Sequence, residues 1–170
     1  MGGEGPILVC FDGSDGGRVA VEAAAKLFPG HRAVVACYWQ PFAESGGRLA
    51  INILELVQDP SSINAQEEAL VADIADEGAA VAQGAGLEAE AQAVRIDCPI
   101  DEAVLTHADD LDAAAIVLGS RGRSGVRSLI LGDVANEVVQ RATRPVVVVP
   151  SSELSRRRRE AADGSRLAGG

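Results

Sequence analysis

Four runs of consecutive apolar residues limit what this chain can fold into. They cover residues 7–11 (ILVCF), 33–39 (AVVACYW), 115–118 (AIVL) and 146–149 (VVVV). Each is short, rich in β-branched side chains and bounded by turn residues, so each is predicted to be a strand. None alternates apolar with polar residues. A strand that is apolar on both sides has to be covered on both faces, as in a parallel sheet between two helical layers. A weaker run at 90–96 is predicted to be the third strand in chain order.

Helical patterns fill the gaps. Residues 14–28 set Val19, Ala23 and Leu27 four apart and end at Pro29-Gly30. Residues 65–83 are Ala-rich and acidic and are closed by Gly84 and Gly86. Residues 99–108 place Ile100, Val104 and Ala108 on one stripe. Residues 133–141 place Val134 and Val138 together, and Pro145 stops them. The order β-α-β-α-β-α-β-α-β predicts an α/β domain over 1–150. Its expected core is a five-stranded doubly wound parallel sheet of strand order 3-2-1-4-5, with helices on both faces. Two segments fall outside this pattern. Residues 40–64 are expected to form a surface loop with a short helix over 49–57. Residues 151–170 are polar and Arg-rich and are expected to be a disordered tail.

Composition narrows the function classes. A chain of 170 residues, 47% hydrophobic, can bury one good core. No apolar run is long enough to span a bilayer, and Met1-Gly2-Gly3-Glu4-Gly5-Pro6 has no basic region or long apolar stretch. Neither a membrane segment nor a secretory signal is expected. Cys10, Cys37 and Cys98 form no CxxC pair and no metal spacing with His31 or His107. Cys10 and Cys37 are expected to be buried small hydrophobes in a reducing cytoplasm. The formal net charge is −10. The last twenty residues hold five Arg against three acids, a net of +2, which leaves about −12 on the rest. A domain this acidic repels a nucleic-acid backbone, so no nucleic-acid partner is expected.

Two places carry candidate chemistry. Asp12-Gly13-Ser14-Asp15 follows the first strand, and Gly119-Ser120-Arg121-Gly122 follows the fourth, with Gly132-Asp133 after nine intervening residues. In order 3-2-1-4-5 strands one and four are neighbours, and ligands bind in the crevice outside their carboxyl ends. Gly119 and Gly122 are expected to take φ > 0 and let backbone N–H groups hold an anion. Gly132 opens a helix whose N-terminus favours a phosphate. Arg121, Arg123 and Arg127 add positive charge. Asp12 offers an acceptor for an adenine amino group or a ribose hydroxyl, and Tyr38, at the end of strand two, is placed to contact a base. Each has a plainer reading. Asp12 to Asp15 is a good turn with Ser14 as helix cap, Asp133 is a good N-cap, and Tyr38 with Trp39 can be packing alone. His107 is expected on a solvated or half-buried helix face.

Asp12-Gly13-Ser14, the stretch Gly119-Ser120-Arg121-Gly122-Arg123-Ser124-Gly125, the spacing G-x2-G-x9-G and Arg144-Pro145-Val146-Val147-Val148-Val149-Pro150 together resemble the universal stress protein family. The resemblance runs from about Pro6 to Pro150. It implies ATP or another adenine nucleotide, with or without Mg²⁺. The base would sit near Asp12 and Tyr38, and the ribose and phosphates on Gly119, Gly122 and Gly132. Gly13, Ser14, Arg121, Arg123, Asp133 and Val134 complete the implied site. It also implies a homodimer through Val146, Val147, Val148 and Val149. Three positions depart from the family pattern. Asp133 stands where a hydroxyl or amide usually meets phosphate, Tyr38 stands where a small aliphatic is usual, and Asp97 replaces a glycine. No nucleophile–base pair is legible, so the expected function is regulatory nucleotide binding without efficient catalysis, at most very slow ATP hydrolysis. The alternative is a dimeric scaffold of the same family that binds no nucleotide.

Overall fold

A computed structural model describes residues 5–41, 60–120 and 132–156. The strands are β1 (Ile7–Cys10), β2 (Arg32–Trp39), β3 (Glu88–Arg95), β4 (Ala115–Gly119) and β5 (Val146–Val149). Between them lie α1 (Asp15–Leu27), α2 (Pro60–Gly84), α3 (Ile100–Asp110) and α4 (Asp133–Arg141). The sheet is parallel throughout, in the order β3-β2-β1-β4-β5. This is the doubly wound α/β fold expected from the sequence.

Both faces of the central strands are buried. Ile7, Val9 and Phe11 point into one core with Ala20, Val21 and Ala24 of α1 and Ala79 and Ala82 of α2. Leu8 points into the other, with Val104 and Ala108 of α3 and Ala135 and Val138 of α4. The period of two therefore persists along β1, but both sets are apolar. The two edges differ. β3 alternates half-buried Ala89 and Ala91 with exposed Glu88 and Glu90, whereas β5 is four valines without a charge.

Helix faces depart from the expected stripes. In α1 the buried residues are Gly16, Gly17, Ala20, Val21, Ala24 and Ala25, and Leu27 is 57% exposed. In α4 Ala135 and Val138 face the core while Val134 turns outward, and in α3 Ile100 is exposed. The reason is close approach. Where a helix lies near the sheet, the smallest residues go innermost and larger ones move to the flanks. α2 shows this most clearly, with Ala75, Gly78, Ala79 and Ala82 buried in one stripe. A Cβ on Gly78 would lie 2.5 Å from Phe11 Cδ1 and 2.8 Å from Val35 Cγ1.

The connection expected over 40–64 is shorter, because α2 already starts at Pro60, where proline suits the first turn. Residues 42–59, with the short helix expected over 49–57, lie outside the described residues. The tail expected from 151 begins in order. Residues 152–156 form a helical turn, Ser151 Oγ accepts from the Leu154 N–H at 3.4 Å, and Leu154 is buried. Residues 157–170 are outside the described set. No described helix is long and apolar enough to cross a membrane.

The Gly78 contact can be tested. Alanine in an exposed helix would gain about 1 kcal/mol over glycine. Here Gly78→Ala is expected to lose about 1–3 kcal/mol, because the methyl overpacks against Phe11 and Val35. Urea denaturation measures this, and a variant as stable as the parent or more stable would contradict the close approach of α2.

Candidate functional site

The carboxyl ends of β1 and β4 open onto a cleft of about 400 Å³. β1 pairs with β2 on one side and β4 on the other, so the helices that follow β1 and β4 leave toward opposite faces. A crevice results at this switch point.

On the β1 side the chain leaves the sheet at Phe11, whose N–H donates to the Ala36 carbonyl at 2.9 Å. Asp12 then folds back. Its Oδ1 accepts from the Ser14 N–H at 3.0 Å and from the Ser14 hydroxyl at 2.5 Å. Ser14 Oγ in turn accepts from the Gly17 N–H at 3.1 Å and caps α1. Gly13 has φ +78°, which a side chain would oppose. The turn-and-cap reading of Asp12 to Asp15 is thus realised in the structure. Asp12 still lines the cleft, while Gly13 and Ser14 do not.

On the β4 side Gly119 is the last strand residue, in register with Val149. It does not take the positive φ expected of it. Among the described residues positive φ occurs at Gly13, Gly30, Gly86 and Asp112. Gly119 remains extended because the β4–β5 ladder runs through it, and the chain turns only afterwards. Ser120 donates its N–H to the Val149 carbonyl at 2.7 Å and accepts from the Gly132 N–H at 2.9 Å. Both its backbone groups are therefore used, one on β5 and one on the start of α4. Its side-chain Oγ is buried and has no hydrogen-bond partner among the described residues.

α4 begins beside this hydroxyl. Gly132 is its N-cap, with φ −63° and ψ 153°, and no side chain caps the helix. Asp133 is the first helical residue rather than the cap, and it is exposed. Its carboxylate suits the positive end of the helix dipole. Val134 and Ile100, both partly exposed apolar side chains, form a lip of the cleft.

Tyr38 lines the cleft from β2. Its hydroxyl lies 2.9 Å from Nδ1 of His107 on α3, and the rings meet edge to face with centroids 5.9 Å apart. Burial pushes the Tyr38 hydroxyl above its ordinary pKa, and nearby Cys10 adds to the rise. Burial also lowers the pKa of His107, against an opposing pull from Asp110. Cys10 lines the cleft as well. Its thiol is pushed up to about 12, first by burial and then by Asp12 and Cys37, which favours the protonated form. Cys37 is buried, and none of the three cysteines is in a disulfide.

Of the residues singled out from sequence, Asp12, Tyr38, Gly119, Gly132, Asp133 and Val134 converge on the cleft. Arg121, Gly122 and Arg123, with Arg127, lie outside the described residues. Sequence reasoning missed Cys10, Phe11, Gly17, Ile100, Leu118, Ser120 and Ala135. Ser120 carried a readable signal, a hydroxyl directly after a strand at the switch point. Ile100 and Ala135 carried none, because an exposed lip and a core position look alike in a helical stripe. Among the described residues no group of three or more His, Cys, Asp or Glu could hold a metal ion.

Known proteins share this arrangement of elements. The family model described as the Universal stress protein family matches residues 5–150. Universal stress protein YxiE of Bacillus subtilis is 28% identical over 153 residues, which span 84% of this chain and 97% of that protein. The universal stress protein from Archaeoglobus fulgidus in complex with dAMP is similar in fold. Its TM-score is 0.54 and its identity 24%, covering 88% of this chain and 99% of that one. A universal stress protein in complex with cAMP gives a TM-score of 0.59 and 23% identity, covering 87% and 98%. The match takes in every strand of the 3-2-1-4-5 sheet, and the chain belongs to the universal stress protein family.

Proposed function

We propose that this chain binds an adenine nucleotide in the cleft between β1 and β4, and that it acts as a homodimeric regulatory protein of the cytoplasm rather than as an enzyme. One observation carries the reading. Ser120 presents a buried hydroxyl with no partner among the described residues, in a cleft that also receives the uncapped N-terminus of α4. A buried polar group left unpaired costs about 1–3 kcal/mol. A ribose or phosphate oxygen would satisfy it and the first N–H groups of the helix together. The apolar side chain of Ile100 in the cleft lining suits the flat face of a base.

In this reading the base lies toward Tyr38 and Asp12, with Gly13 and Ser14 shaping the turn that holds Asp12. The ribose and phosphates lie toward Gly119, Ser120, Gly132, Asp133 and Val134. Arg121, Gly122 and Arg123 complete the phosphate side on sequence grounds. The dAMP and cAMP complexes of relatives support the class of ligand. Each of those ligands carries a single phosphate, which is the load an exposed Asp133 opposes least. Mg²⁺ would act only together with a longer phosphate chain, bridging it to Asp133. Asp133 also favours a second reading, a dimeric scaffold without nucleotide, since its carboxylate already stabilises the start of α4 unaided.

Calorimetric titration separates these readings. Without Mg²⁺, affinity is expected to fall from AMP to ADP to ATP, and Mg²⁺ is expected to restore ATP relative to AMP. Asp133→Ser should tighten metal-free ATP binding roughly tenfold, equivalent to about 1.4 kcal/mol of repulsion removed. If no adenine nucleotide binds at millimolar concentration, the scaffold reading replaces this one. If ATP binds tightly in EDTA and Asp133→Ser changes nothing, the carboxylate points away from the phosphates.

The dimer rests on the valine edge of β5, which no charge protects from pairing. Val147→Lys is expected to yield a monomer in analytical ultracentrifugation. A variant that stays dimeric would place the interface elsewhere.

A further inference from the structure

α3 holds the sheet with little apolar surface. Its buried side chains are Ala103, Val104 and Ala108. Its N-cap is Pro99, and no side chain caps its first turn. Two ion pairs reach it from α4 and the turn that follows, Arg141 to Asp101 at 2.7 Å and Arg144 to Asp109. Each has one exposed partner, Arg141 and Asp109, and such pairs contribute little. A polar tie runs directly to the sheet. The Tyr38 hydroxyl near the end of β2 lies 2.9 Å from Nδ1 of His107, in the last turn of α3, and the two rings meet edge to face. Both side chains are half-buried.

We infer that the Tyr38–His107 hydrogen bond is an acid-sensitive latch, which fastens α3 to β2 while His107 is neutral and releases it when His107 takes up a proton. In the neutral ring Nδ1 offers a lone pair that accepts the single proton of the phenol. Protonation puts a hydrogen on Nδ1, so two hydrogens meet across 2.9 Å. The hydroxyl must then turn, and its own proton loses its acceptor in a half-buried place, which is costly. The sheet face under α3 carries Leu8, Val34 and Ala36, which give a cation no compensating contact. α3 starts at Ile100, which lines the cleft, so release of the latch loosens one wall of the cleft. Nothing in this device depends on what the cleft binds.

The surroundings set the direction of the switch. Burial lowers the pKa of His107 from its usual 6.5, and Asp110, one turn on, opposes this with a smaller effect. The carboxyl end of α3 also favours a cation. Burial raises the pKa of Tyr38, so the hydroxyl keeps its proton to donate. Other charges around α3 are paired, Asp101 with Arg141 and Asp109 with Arg144. On this face of the sheet β3 places Glu90, which accepts from Gln92 Nε2 at 3.3 Å, and then Val94 beside Tyr38. β1 contributes Cys10, whose thiol favours its protonated form. Among the described residues Asp110 is the one charge that acts on His107. With the folded pKa below the unfolded value, the latch is at full strength above about pH 6.5 and weakens as pH falls below it.

Two measurements on the full chain test the latch. NMR titration of wild type follows the Cε1–H signal of His107, assigned by its loss in His107→Gln. His107 is expected to titrate below 6.5. Amide hydrogen exchange, corrected for the intrinsic effect of pH, compares the protection of α3 with that of α1 between about pH 7.5 and about pH 5. In wild type the protection of α3 is expected to fall severalfold in acid relative to α1. His107→Gln takes up no proton, and its amide oxygen can accept from Tyr38, so its α3 is expected to keep its protection at both ends of the range. Tyr38→Phe removes the bond and is expected to lower α3 protection already at the higher pH. A His107 that titrates at 6.5 or above would overturn the latch on wild-type protein alone. So would α3 protection that does not change with pH, a fall that persists in His107→Gln, or full protection in Tyr38→Phe.

Discussion

The ring of Phe11 sets the geometry on which the cleft depends. It leaves β1 at the sheet's carboxyl edge, almost fully buried, with Gly17 of α1 and Gly78 of α2 against it. A Cβ on either glycine would fall inside contact distance, 2.9 Å from the ring for Gly17 and 2.5 Å for Gly78. Two helices are thereby drawn to the end of one strand. Interiors are packed to crystal-like density, so this contact is a firm constraint rather than a loose preference. Asp12 follows directly, and its turn is fixed from behind by Ser14 and Gly17. The β1 wall of the cleft is therefore rigid before any ligand arrives.

The opposite wall is built differently. Gly119 and Ser120 are held by the β4–β5 ladder and by the Ser120–Gly132 backbone bond, which places the start of α4 beside the Ser120 hydroxyl. What this wall offers is unsatisfied capacity: a buried hydroxyl without a partner among the described residues and a helix start without a side-chain cap. The family's nucleotide chemistry fits such a wall. Under the proposed function Asp133 would modify it, because a carboxylate at the start of α4 opposes a long phosphate chain.

The strands were legible because their apolar runs are continuous, and β5 was placed to the residue. β3 was placed two residues late, because an edge strand that starts Glu88-Ala89-Glu90 carries polar residues from its first position. Helices were found, and Val104, Ala108 and Val138 are buried as expected, but Ile100 and Val134 face outward and the buried face of α1 was misassigned. The stripe Val19, Ala23, Leu27 weighs side-chain size, whereas close packing on the sheet selects Gly17, Ala20, Val21 and Ala24. Half of the site was legible for one reason: topology brings the ends of strands one and four together whatever their side chains. The Tyr38–His107 contact was not legible, because it joins residues 69 apart through a helix rotation that periodicity fixes too loosely. Leu154 was not legible either, because it is an isolated apolar residue within the polar run 151–160.

The proposed adenine nucleotide lies in the cleft between β1 and β4, against Ser120 and the start of α4. NMR titration of ¹⁵N-labelled protein with AMP tests it most directly. The largest saturable amide shifts are expected at Ser120, Gly132, Asp133 and Val134, with smaller ones at Asp12 and Tyr38. Saturable shifts centred elsewhere, such as the α1–α2 groove at Lys26 and Gly84, would contradict it, as would no shift at Ser120 and Gly132 at millimolar AMP.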